Sequence, residues 1–164
     1  GKVMNTHGMK PVDILKNKEL SELLAVIGLD LNEPDYDELN YGKIYLMMDA
    51  DQDGNSIACL LMQFFSHWPK LFQEKRIFRV QSPLYVARKS GKKDLIYYTQ
   101  ADYDRDHLIG YDVSYIKGLG SLETSDYKQV VDSPVLTMIE WDNNMSLNMA
   151  FGDSADARKS WMLN

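Results

Sequence analysis

"KIYLMMDADQDGNSIACLLMQFFSHW", residues 43–68, joins a short apolar run to three closely spaced aspartates and then to a second apolar stretch. The run "KIYLMM", bounded by Gly42, reads as a buried strand, and residues 56–68 read as a largely apolar helix ending near Pro69. Strand, acidic turn and helix together place Asp49, Asp51 and Asp53 at the carboxyl edge of a sheet. In open α/β sheets that edge is where ligands bind. Two unit charges ~4 Å apart cost about 4 kcal/mol at an effective dielectric of ~20. A divalent cation with oxygen ligands is the economical way to neutralise them. An acidic helix N-terminus, favoured by the helix dipole, accounts for one of the aspartates well and for three poorly.

The same letters open a calcium-binding EF-hand loop, D-x-D-x-D-G, with Gly54 at the sharp turn. That loop needs a bidentate glutamate at its twelfth position, where this chain has Leu60, and an apolar eighth position, where it has Ser56. A helix should precede it, and a strand does. Magnesium, which prefers one or two carboxylates plus waters and phosphates, suits the site better, with manganese as a substitute.

The 164 residues suffice for one domain with a real core, or for one domain and a small appendage. At 45% apolar and 26% charged residues the composition is that of an ordinary soluble protein. No run approaches the ~18 apolar residues of a membrane span. "GKVMNTHGMK" has no apolar signal core, so a cytoplasmic location is expected. The single cysteine, Cys59, reads as a buried structural thiol in a reducing compartment. A formal net charge of −6 argues against coating nucleic acid by bulk charge, so any such role must come from local basic spots.

Outward from the acidic turn, Leu20, Leu23, Leu24 and Ile27 predict a helix with Gly28 as its C-cap. "RIFRVQSPLYVAR" (76–88) supplies the next strand, and this βαβ spacing favours a parallel sheet. "DLIYYTQADYDRD" (94–106) reads as a strand and then a turn or short helix. "VSYIKGLGSL" (113–122) is a strand opening into a glycine turn, and "SLETSDYKQVV" (121–131) is a helix capped by Ser121 or Thr124. Residues 135–162 give a strand, a loop and one or two helices, with Asp153 or Ser154 capping the last. His67, beside Trp68 and Pro69, reads as structural. Tyr97, Tyr98, Tyr103 and Tyr111 read as core or rim residues.

The ordered set "GKVMN", "NKEL", "YGKIYLMMDADQDGNSI", "FFSHWPKLF", "RVQSPLY" and "YIKGLGSLE" resembles the toprim (topoisomerase–primase) region of the gyrase B-type subunit of type IIA DNA topoisomerases. "HWPKLF" and "KGLGSLE" look most like the T-even-type bacteriophage members. The resemblance implies an α/β fold: a Rossmann-like toprim parallel sheet flanked by helices over residues 1–130, and a small C-terminal α/β extension over 131–164. It also implies an ATP-dependent enzyme that cleaves and rejoins both DNA strands to pass a second duplex. Asp49 and Asp51 would hold the magnesium nearest the chemistry, with Asp51 and Asp53 reaching a second metal position. Lys117 would act in catalysis and contact DNA phosphate, with Gly118 and Gly120 allowing close backbone approach. Lys2 and Asn5 would lie near the cleaved strand. The implied partners are double-stranded DNA, a breakage–reunion subunit carrying the cleavage tyrosine, and an ATPase segment or subunit; no membrane is involved. A magnesium-dependent toprim nuclease or primase-like protein is the alternative with the same fold.

The departures from the family pattern carry expectations too. The family's first toprim strand ends in a glutamate within "EGDSA", upstream of "GK", and this chain begins at Gly1 without it. The near copy "FGDSA" (151–155) has Phe151 in place of the glutamate and follows "KGLG", so it reads as a helix cap. Asn55 and Ser56 stand where family members often carry Ser-His. Lacking the glutamate strand, the tyrosine's module and an ATPase, the chain alone is expected to be inactive. A sheet short of a strand is also expected to pair its open edge with another chain.

Overall fold

The computed structural model describes residues 2–163; Gly1, which opens the "GKVMN" stretch, and Asn164 lie outside them. A short helix α1 (Pro11–Ile14) starts at a proline, whose missing N–H costs nothing in a first turn. Helix α2 (Lys18–Ile27) forms where the apolar spacing demands it. The Asn17 side chain accepts the Leu20 N–H at 3.0 Å. Gly28 closes the helix in the left-handed region at φ 77°, which favours glycine. Leu20, Leu24 and Ile27 are buried along one face.

Strand β1 (Ile44–Met47) leads through the acidic turn into α3 (Gln52–Phe65). The chain breaks at Trp68–Pro69, forms α4 (Lys70–Gln73) and returns as β2 (Ile77–Val80). This is a strand–helix–strand crossover of the kind that parallel neighbours require. Next come β3 (Tyr85–Arg88), β4 (Leu95–Tyr97), α5 (Gln100–Arg105) and β5 (Asp112–Tyr115). A 3-10 turn (Leu119–Ser121), α6 (Thr124–Asp132), β6 (Leu136–Met138), α7 (Met145–Phe151) and α8 (Ala155–Leu163) complete the chain. One sheet has the order β1–β2–β6 and the other β4–β3–β5. The molecule is thus mixed α/β.

Two compact units interleave along the sequence. One comprises the described residues of 1–44, 57–78 and 138–164, the other 45–56 and 79–137. In the first, Phe64 and Phe65 are fully buried and Trp68 is 2% exposed. The Phe64 and Trp68 rings meet edge-on at 5.3 Å, and the indole N–H donates to the Asp30 carbonyl at 3.1 Å. Each such aromatic contributes about 1.5–3 kcal/mol by burial. His67 lies edge-on to Trp68, with Nε2 3.3 Å from the Thr6 carbonyl, and burial lowers its pKa, as befits a neutral packing imidazole. Cys59 is only part-buried. In the second unit, Val86, Ile116 and Leu122 form a buried cluster with Ile96, Leu119 and Tyr127 packed against it. Burial and a hydrogen bond to Asp106 push the Tyr97 phenol up to about 12.

Four sequence expectations are corrected. The single strand expected over 76–88 is two strands, because Ser82 and Pro83 interrupt it and a proline supplies no ladder N–H. The β4–β3–β5 sheet is antiparallel, pairing Val86 with Ile96 and with Ser114. The connection after β3 turns back at Gly91 (φ 75°) instead of crossing over. Strand β6 also opposes β2: the Gln81 N–H donates to Val135 O, and the Ile139 N–H to Ile77 O. Helix α6 is capped by Glu123, in a reciprocal box with Asp126, and not by Ser121 or Thr124. Asp126 is 1% exposed and paired with Arg88, which fixes it in that geometry.

Candidate functional site

The acidic turn belongs to the second unit, and each aspartate has its own setting. Asp51 precedes α3 and its Oδ1 accepts the Gly54 N–H at 2.7 Å, so it caps the helix. Asp53 lies in the first turn of α3, where the helix dipole favours a negative charge. This cap starts the helix at Gln52, four residues before the expected start. Gly54 therefore sits inside the first turn, buried against the strand end. A Cβ there would stand 2.1 Å from the Asp49 carbonyl oxygen, which no side chain can tolerate.

Asp49 is half-buried and reaches far along the chain. Its Oδ1 accepts the Leu119 N–H at 2.7 Å, tying the acidic turn to the "KGLG" turn 70 residues on. Gly118 leaves room for this approach: a Cβ on it would lie a tight 3.0 Å from the Asp49 carboxylate. Gly120 has open space around it. The turn is braced from behind: the Tyr127 hydroxyl donates to the Leu119 carbonyl at 2.7 Å. Ser82 donates its hydroxyl to the Met48 carbonyl, holding the end of the first strand's extension. Lys117, next to Gly118, is exposed.

The structure thus brings Asp49, Asp51, Asp53, Lys117, Gly118 and Gly120 into one unit, while Lys2 and Asn5 belong to the other. Asn5 and Lys2 are exposed, and Asn5 Oδ1 accepts the His7 N–H at 3.0 Å in a local turn. Among the described residues, no group of three or more His, Cys, Asp or Glu side chains is arranged to hold a metal ion. The donor set nonetheless suits a hard cation that keeps most of its waters. Asp49 and Asp51 each use one carboxylate oxygen on a backbone N–H, which orients the second oxygen. Sequence reasoning missed two residues here. Tyr127 and Arg79, whose Nη2 donates to Asn55 Oδ1 at 2.5 Å, carry no local motif. The one signal for Arg79 is a charge inside an apolar strand.

The fold is that of a mixed α/β protein with an acidic turn between a strand and a helix. No protein-family model matches the chain. It is 43% identical over 129 residues to the DNA topoisomerase small subunit of Enterobacteria phage T4, covering 76% of this chain and 80% of that subunit. It is 32% identical over 177 residues to the B-type subunit of DNA topoisomerase 4 from Bacillus subtilis, covering 99% of this chain and 27% of that protein. A solved structure of the Plasmodium falciparum topoisomerase II DNA-binding, cleavage and re-ligation domain superposes with a TM-score of 0.82. That match has 28% identity and covers 100% of this chain and 24% of the other. The chain belongs to the type II DNA topoisomerase family. It spans most of the phage protein and about a quarter of the bacterial one. Among the described residues, no helix is long and apolar enough to cross a membrane.

Proposed function

We propose that this chain is the metal-holding toprim part of an ATP-dependent type II DNA topoisomerase, with the β1–α3–β2 crossover as its parallel core. The observation that carries this reading is the Asp49–Leu119 hydrogen bond, which unites the "DADQDG" and "KGLG" stretches in one site. Asp49 and Asp51 would hold magnesium, and Asp51 with Asp53 a second ion. The bound metal supplies stabilisation of negative charge on the scissile phosphate and the leaving 3′ oxygen. Asp49 is kept in one orientation by Leu119, so its outward oxygen does not have to reorganise as charge develops. Lys117 contacts a DNA phosphate from the exposed side of the turn, and the bare backbone at Gly118 and Gly120 lets the duplex come close. Lys2 and Asn5 flank the cleaved strand. The cleavage tyrosine comes from a breakage–reunion partner, ATP is used by another segment or subunit, and the work is done in the bacterial cytoplasm.

The test is reconstitution with the breakage–reunion and ATPase partners, reading double-strand cleavage of supercoiled DNA against magnesium concentration. Asp49→Asn should reduce cleavage by roughly 10²–10³-fold while leaving the melting temperature near that of the wild type. A metal titration of the chain followed by NMR gives a readout independent of activity: magnesium should move the Asp49 and Asp51 signals before any others. Unchanged aspartate signals at saturating magnesium would sink the metal assignment. Metal-dependent nicking by the chain alone, lost in Asp49→Asn, would favour the nuclease alternative.

A further inference from the structure

The second unit contains an open cleft of about 420 Å³, lined among others by Ala50, Asn55, Arg79, Gln81, Ser82 and Tyr98. Ala50 is the residue between Asp49 and Asp51, so the cleft opens beside the acidic turn. Arg79, the third residue of β2, is half-buried, and its guanidinium is held by the neutral side-chain oxygen of Asn55. Arg76, Arg88 and Arg105 all pair with carboxylates, whereas Arg79 makes no ion pair among the described residues. A half-buried cation with only a neutral partner keeps its full charge, and four of its five N–H groups remain for a ligand. Two of its polar neighbours are engaged by backbone carbonyls. The Gln81 amide donates to the Tyr98 carbonyl at 3.3 Å, and the Ser82 hydroxyl donates to Met48 O. The cleft therefore presents one guanidinium oriented by Asn55.

The geometry points to a phosphodiester site: we propose that Arg79 binds a backbone phosphate of DNA adjoining the one engaged at the aspartates. Asn55 sets the guanidinium plane. The inference rests on the proposed function. Phosphate oxygens match the planar donor fork of arginine. With a net charge of −6, duplex binding must depend on single well-placed cations of this kind. The cleft is open and has room for a sugar–phosphate unit, which favours a polymer over free inorganic phosphate.

Binding of a fluorescein-labelled DNA duplex by the full chain, followed by anisotropy over a salt series, tests this. Arg79→Ala should weaken binding several-fold at low salt and reduce the log–log salt slope by about one. Arg79→Lys should keep the slope, and Asn55→Ala should keep the slope while weakening binding less. Should Arg79→Ala lower the melting temperature, Arg79→Gln replaces it in the same assay. An unchanged slope in both Arg79→Ala and Arg79→Gln overturns the inference. If Lys117→Ala reduces the slope in that same experiment, the proposed function survives the failure. A second arm follows the Arg79 side-chain N–H signal by NMR. Movement with inorganic phosphate but not with duplex would make the cleft a free-anion site and overturn the DNA assignment.

Discussion

Residues 49–54 and 151–156 look alike on paper, each an acidic, glycine-bearing stretch entering a helix, yet they are built differently. In the second, the hydrogen bonds run between near neighbours in sequence. Ser154 Oγ accepts the Ala157 N–H at 3.1 Å and caps α8, Gly152 closes α7, and Arg158 donates back to the Gly152 carbonyl. Asp153 and Asp156 are exposed. The first stretch has the same kind of cap, Asp51 on the Gly54 N–H, but adds a tie to a turn 70 residues away through Asp49 and Leu119. A helix cap needs only neighbours in sequence. A site needs a group held by something that the helix does not supply.

The comparison breaks most sharply on activity. In the reconstituted enzyme, Asp49→Ala should reduce DNA cleavage by roughly 10²–10³-fold, the usual scale for removing one oriented electrostatic group, while Asp153→Ala changes it less than about twofold. Equal losses from the two variants would mean that the tie to Leu119 has no functional meaning. The glycines separate the stretches next. Gly54→Ala should cost about 3 kcal/mol or more in urea unfolding, since the added Cβ meets three backbone atoms of Asp49 within 3.1 Å. Gly152→Ala also meets a backbone carbonyl, Asn148 O at 2.4 Å, but at the end of a helix with no buried residues, and should cost less than Gly54→Ala.

The caps should look equal. Asp51→Ala and Ser154→Ala each remove one side-chain acceptor from a helix N-terminus, so each should lower stability by about 1 kcal/mol. A much smaller loss for Asp51→Ala would show that relief of aspartate repulsion offsets the lost cap. A stability effect of similar size is expected at Tyr127. Tyr127→Phe deletes the hydroxyl that braces the Leu119 carbonyl and should cost about 0.5–1.5 kcal/mol. Faster hydrogen exchange at the Leu119 amide, with α8 unchanged, would confirm that the long-range tie is what loosened.

How much of this is legible in the chain follows the same division. Helix α2 with its Gly28 cap, strand β1, the Ser154 cap and the apolar face of α3 can be read from residues within a few positions of one another. Periodicity and capping are local. The start of α3 escapes the apolar pattern because Asp51, whose charge suggests a ligand, also caps the helix. The antiparallel β4–β3–β5 sheet escapes because alternation along a strand says nothing about the direction of its neighbour. Glu123 takes the α6 cap against propensity because Arg88, on another strand, holds Asp126 in the reciprocal position.

By itself the sequence determined the α/β character, the acidic turn between strand and helix, and the ordered motifs that tie the chain to its family. Each depends on residue type and spacing along the chain, where backbone geometry leaves few choices. Only the tertiary structure decided that Asp49 meets Leu119, that the Asp49 carboxylate packs closely against Gly118, and that Arg79 faces a cleft beside the acidic turn with Asn55 as its neutral partner. Those facts depend on packing between segments far apart in sequence, and no local rule carries the distance between them.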